Sequence, residues 1–369
     1  MEKQSVIYRF GAFLNTYFFS QISGYKLGLI RIILVGATLV QVFSRYHAMH
    51  RITFIDAAFD FLHMPSHLLQ FLSIPFPLPV EFRLPFAISY YLIGSCAMVG
   101  LFTRPAVFIF GLFNIYIFDI QLSRGLFDHE MGLISQVFLV LALAPGSSSF
   151  SIDRAFSWLL QRARKTNTLS FTKYLPGPPV PVWGLKLIII LLACTYFTAG
   201  LSKIRYGSLQ WLDGKTLTHY LNGSASPYVS GSRPIFTSPT YVREEKKWKD
   251  GFGIYSYSWG NKQRNKHRLE IGRIIAANSY LMIALSLSTV IFELSSFLLL
   301  TTGWPKFLYL LGAIAMHLTI GYLMDLHFFK FQLLCLLLVN WQWVFQKLLP
   351  NAIKQLKKAP ALIWVNARS

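Results

Sequence analysis

The fold is decided by Val182-Trp-Gly-Leu-Lys-Leu-Ile-Ile-Ile-Leu-Leu-Ala-Cys-Thr-Tyr-Phe-Thr-Ala-Gly-Leu201, a run of twenty residues in which Lys186 alone is charged. A helix needs about 20 mostly apolar residues to cross a hydrocarbon core about 30 Å thick, and this run supplies them. Working outward, Leu27–Phe43, Leu84–Phe102, Ala106–Leu122, Met131–Pro145, Ser279–Leu300, Trp304–Met324 and Phe328–Leu348 have the same character, although Met131–Pro145 is short. The expected architecture is all-α: a polytopic helical membrane protein with about eight transmembrane helices plus interfacial helices.

Composition supports that reading. Of 369 residues, 54% are hydrophobic and 14% charged, the net charge is +20, and mean hydropathy is +0.45. Soluble domains carry roughly 25% charged residues, and a chain this poor in charge needs lipid against much of its surface. Nucleic-acid proteins gather Lys and Arg on a folded polar surface. Here the basic residues fall between apolar runs, which points to an anionic membrane face and to no nucleic-acid partner. Cys96, Cys194 and Cys335 each lie inside an apolar run and form no CxxC, and there is no HExxH, so no metal site is expected.

The chain divides into an N-terminal interfacial segment (1–26), a membrane domain (27–348) containing a long polar loop (202–278), and a basic tail (349–369). Ile55–Phe82 is apolar but interrupted by Asp56, Asp60 and several prolines, as expected of an interfacial or re-entrant segment. Ser149–Tyr174 reads as a basic amphipathic helix, opened by the Ser151-Ile-Asp153-Arg154 cap and followed by the stiff linker Leu175–Pro181. Short loops carry most of their Lys and Arg on the side of the two termini. The positive-inside rule therefore places both termini in the cytoplasm and loop 202–278 outside. The chain is expected in the inner membrane of a bacterium or the endoplasmic reticulum of a eukaryote.

That topology gathers Asp128, His129, Glu130, Lys203, Asp325 and His327 on the non-cytoplasmic side. An amine held in a dry place is a candidate base toward a weakly acidic hydroxyl, and Lys203 follows the small residues Ala199 and Gly200, which permit close helix packing. The competing reading is a lysine snorkelling at a helix end. His129 could relay a proton or orient a ligand oxygen. An interfacial histidine with no role is the alternative. Glu293, Arg31, Asp119 and His317 lie deep in apolar runs, where ionisable groups mark function or structural pairs.

Phe197-Thr-Ala-Gly-Leu-Ser-Lys203, followed by Trp211-Leu-Asp-Gly-Lys215, resembles the stretch around the active-site lysine of vitamin K-dependent gamma-carboxylase, where Ala-Gly-x-x-Lys precedes Trp-x-x-Gly. Asp128-His129 leading through an apolar run to Ser151-Ile-Asp153-Arg154, and Glu293 in Ile-Phe-Glu-Leu, are similar to the wider horizontally transferred transmembrane (HTTM) domain group. The resemblance spans roughly residues 20–345. It implies a quinol-dependent epoxidase or carboxylase. Lys203 and His129 would be its catalytic residues, with Trp211, Glu293, His317 and His327 lining a quinone or substrate pocket. The cofactor would be a reduced quinone like vitamin K hydroquinone, with O2 and CO2 if carboxylation is retained. The large luminal region of the carboxylase is not expected here, and Ser202 stands where that enzyme has a second lysine. The group also includes proteins similar to sporulation-delaying protein B. That likeness implies a different role: a non-catalytic membrane factor for maturation or export of a secreted peptide. The partners implied are membrane lipids, a lipid quinone, and a secreted peptide or accessory membrane protein.

Overall fold

The structure is a computed structural model. It describes residues 6–44, 70–71, 73, 78–123, 129–222, 265–324 and 326–348. The expectation of an interfacial or re-entrant Ile55–Phe82 falls mostly outside these residues, and Asp128, Asp325, the charged run 243–250 and the tail 349–369 lie wholly outside them.

Fourteen α-helices make up most of the described chain, with a few 3-10 turns and one two-stranded ribbon. They are α1 (Val6–Phe19), α2 (Tyr25–Ser44), α3 (Arg83–Val99), α4 (Thr103–Ser123), α5 (His129–Leu143), α6 (Ile152–Ala163), α7 (Phe171–Tyr174), α8 (Trp183–Gly207), α9 (Lys215–Leu221), α10 (Lys266–Ala276), α11 (Ser279–Leu294), α12 (Trp304–Met324), α13 (Phe329–Leu338) and α14 (Trp341–Leu348). Among the described residues four segments are long and apolar enough to cross a membrane: Tyr25–Val42, Trp183–Arg205, Ser279–Leu300 and Trp304–Met324. Buried residues make up only 28% of the Ser279–Leu300 segment and 44% of the Tyr25–Val42 segment. Their remaining apolar side chains, such as Leu308 and Leu311 on α12, face outward, as a lipid-facing helix requires and a water-facing one does not.

The last expected span, Phe328–Leu348, is not one helix. It breaks at Val339–Asn340 into the ten-residue α13 and the short α14. At 1.5 Å per residue α13 rises about 15 Å, half of a hydrocarbon core. Both of its ends are held. Its N-terminal amides on Lys330 and Phe331 donate to Oε1 of Glu130, while Lys26 Nζ donates to the Val339 carbonyl just past its C-terminus at 2.9 Å. A carboxylate at the positive end of the helix dipole and an ammonium at the negative end both stabilise so short a helix.

The strands β1 (Gln21–Ser23) and β2 (Pro179–Pro181) pair antiparallel with Ile22 opposite Val180, so α2 and α8 begin side by side. Helix α5 runs opposite to α8, because Ala144, just beyond α5, packs on Gly184 near the start of α8. Helix α11 is also antiparallel to α8: Gly200 meets Glu293, and farther along the chain Gly214 meets Met282. Leu27, Ile30, Leu34, Phe110, Phe138, Ile188, Leu192 and Leu334 fill the core between these helices.

The Ser151-Ile-Asp153-Arg154 motif is a set of caps. Ser151 accepts from the Arg154 amide, starting α6, and Asp153 accepts from the amides of Phe102 and Thr103 at the start of α4. Arg154 donates to the Tyr174 carbonyl and stacks over its ring. Arg31 is fully buried; it donates to the Ala97, Ser149 and Phe150 carbonyls and forms no ion pair with a carboxylate among the described residues. Gly100, in the left-handed conformation at φ 76°, ends α3 where a Cβ would lie 2.2 Å from Arg31 Nη1.

Candidate functional site

Lys203 lies on the last turns of α8, and its side chain leans back toward the N-terminus, as helical side chains do. Its Nζ is 2.7 Å from each oxygen of Glu293 on α11 and 3.4 Å from the Ala199 carbonyl one turn earlier. The two side chains retain 21% and 9% of their exposure, so the pair is largely withdrawn from solvent. Close approach of the helices makes this possible. A Cβ on Gly200 would lie 2.9 Å from Glu293 Cβ, so a glycine here lets α11 come near enough for the carboxylate to straddle the amine. Beyond α8 the chain tightens into a 3-10 turn, Ser208–Asp213, which brings the half-buried Trp211 ring to 5.2 Å from the Lys203 Nζ, within cation–π range.

Lys203, Glu293 and Trp211 thus form one cluster. Seven residues before Lys203, Tyr196 occupies the same stripe of α8. Its hydroxyl is 3.2 Å from Nδ1 of buried His317 on α12, which is also 2.8 Å from the Ala313 carbonyl. The ring of Tyr196 packs edge-on against Phe292, the residue next to Glu293, and against Tyr309 and Phe331. Phe331 stacks on His317 at 5.2 Å between ring centroids. Its amide is one of those bonded to Glu130, whose Oε2 lies 3.9 Å from Lys330 Nζ; both of these ionic side chains are almost fully buried. A continuous polar and aromatic path therefore runs Lys203–Glu293, Tyr196, His317, Phe331, Glu130 across five packed helices.

The expected site residues divide on this geometry. Glu293 and Trp211 contact Lys203, and His317 joins them through Tyr196. His129 begins α5 with an exposed side chain, while its neighbour Glu130 turns inward; His327 is exposed between α12 and α13. The antiparallel packing of α5 on α8 brings residues 129 and 203 toward the same end of the bundle. Neither histidine, however, is a hydrogen-bonding or ionic partner of Lys203. Tyr196, Lys330 and Phe331 are the members that the sequence did not single out for a site; Glu130 is among the groups expected on the non-cytoplasmic side. Tyr196 did leave a signal: a hydroxyl in an apolar run, spaced seven residues from the lysine, needs a partner. Among the described residues no three His, Cys, Asp or Glu side chains cluster as metal ligands would.

Comparison of the chain with protein-family models, with characterised proteins and with solved structures finds no match.

Proposed function

We propose that this chain is a membrane enzyme of the HTTM, gamma-carboxylase-like kind, in which Lys203 is the base that takes the hydroxyl proton of a reduced lipid quinone. The observation that carries the proposal is the Lys203–Glu293 pair, set between two antiparallel spans and covered by an aromatic ring. Holding two charges out of water costs several kcal/mol per ion, and two apolar side chains would pack there without that cost. Ionisable groups kept inside a membrane mark function. The pair also has a route to a free base. The Nζ–H bond breaks as an O–H bond forms on Glu293, leaving an amine and a carboxylic acid with no net charge. The amine then accepts the hydroxyl proton and returns to ammonium. The reduced quinone supplies the oxidisable ring, with O2 and CO2 as co-substrates if carboxylation follows.

In this proposal α2, α3, α4, α5, α8, α11 and α12 cross the membrane, and α13 with the extended backbone at its ends makes the eighth crossing. Both termini are cytoplasmic. The antiparallel order of α5, α8 and α11 agrees with that count.

A second reading, a non-catalytic factor for maturation or export of a secreted peptide, is favoured by one observation. The amine of Lys203 is satisfied by Glu293 and Ala199, without the imidazole expected beside it. Turnover of a reduced naphthoquinone separates the two. Lys203→Ala should abolish it, and so should Lys203→Ala/Glu293→Ala, which leaves no unpaired carboxylate to disturb folding. Turnover in the folded double variant equal to that of the unsubstituted protein would sink the enzyme reading.

A further inference from the structure

At the end of the bundle away from Lys203 lies a cavity of about 360 Å³, within the range of small-ligand pockets, roughly 300–1,000 Å³. Lys26, Lys186 and Lys306 line it, and among the described residues no Asp or Glu does. These lysines have a common placement. Lys26 is the second residue of α2, Lys186 the fourth of α8 and Lys306 the third of α12. Three helix N-termini therefore converge on the cavity, each bringing the positive end of its dipole and each carrying a cation in its first turn. A cation is the wrong charge for that position, where anions are favoured.

Among the described residues no carboxylate lining the cavity cancels this positive charge. Lys26 spends one hydrogen on the Val339 carbonyl, and Lys186 sits 3.8 Å from the centroid of the Tyr17 ring. Lys306 forms no hydrogen bond or ion pair among the described residues and faces both other ammonium groups. Three cations at three positive helix ends repel one another strongly in a poorly polarisable setting. The arrangement is stable when an anion occupies the space between them, as it is where helix N-termini bind phosphate. Thr302, Asn340 and Trp343, residue types with neutral donors, also line the wall. Trp343, on its wall, packs on Trp304 at 5.1 Å between ring centroids, and tryptophans are enriched at the level of lipid headgroups.

We propose that this cavity binds a phosphate-bearing anion, held between Lys26, Lys186 and Lys306 at the convergent N-termini of α2, α8 and α12. The phosphate could belong to an anionic phospholipid headgroup or to a soluble phosphate compound, since both present the same oxygens. The site shares no residue with the Lys203 cluster and stands or falls independently of it.

The test uses the full-length protein in neutral detergent, with bound lipid read by native mass spectrometry. Dioleoylphosphatidylglycerol should bind at least tenfold more tightly than dioleoylphosphatidylcholine. That preference should disappear in Lys186→Met/Lys306→Met and return in Lys186→Arg/Lys306→Arg, while Lys173→Met, on exposed α7, should retain it. Inorganic phosphate added at constant ionic strength distinguishes the sources. Displacement of the lipid at millimolar phosphate identifies a soluble phosphate site, and failure to displace it identifies a headgroup site. Should the double methionine variant aggregate on size exclusion, Lys306→Met alone is read the same way, with a three- to tenfold loss expected. Equal binding of both the lipid and inorganic phosphate by the methionine variants and the unsubstituted protein would overturn the proposal.

Discussion

Removing one partner of the Lys203–Glu293 pair should destabilise the protein more than removing both. Lys203→Met leaves the Glu293 carboxylate, whose side chain is 9% exposed, with its nearest cation gone. Stranding a buried charge costs about 3–5 kcal/mol, and the 21% exposure of Lys203 shows that some solvent reaches the pair, so about 2–3 kcal/mol is expected. Glu293→Met strands the ammonium, which keeps the Ala199 carbonyl and the Trp211 ring, and should cost about 2 kcal/mol by the same reasoning. The double variant buries two flexible apolar side chains in place of two charges and should lie within about 1–2 kcal/mol of the unsubstituted protein. The coupling energy across the cycle is then about 3 kcal/mol. Equilibrium unfolding in mixed micelles at several sodium dodecyl sulfate fractions, followed by tryptophan fluorescence, measures all four proteins. Additive single effects, with coupling below about 0.5 kcal/mol, would show that the two side chains do not interact as the structure has them.

Glu130→Gln should keep an acceptor for the α13 amides but lose the charge that complements the helix dipole and Lys330. A cost of about 1–3 kcal/mol is expected in the same unfolding assay, and a change below about 0.3 kcal/mol would contradict the capping role. Gly100→Ala forces a side chain into the left-handed region and onto Arg31, and should cost at least about 2 kcal/mol; a neutral result would mean that the α3–α4 turn is not built around that contact.

The membrane character of this chain is local information. Twenty consecutive apolar residues read the same in any tertiary context, because the length of a lipid-crossing helix depends on bilayer thickness alone. The sequence accordingly located Tyr25–Val42, Trp183–Arg205, Ser279–Leu300 and Trp304–Met324 to within a few residues. It also singled out Lys203, since a lysine after Ala-Gly in such a run is visible without a structure. It did not locate the break at Val339–Asn340, where the apolar pattern continues while the helix stops. That half-length helix depends on Glu130, two hundred residues before Lys330, and on Lys26, 313 residues before Val339. Nor could it assign partners. Glu293 to Lys203, Tyr196 to His317 and the meeting of Lys26, Lys186 and Lys306 are pairings across separate helices, decided by which faces pack together. Hydropathy sets how long each helix is. The rotation and direction of each helix within the bundle decide which charges meet, and that is a property of the packed whole.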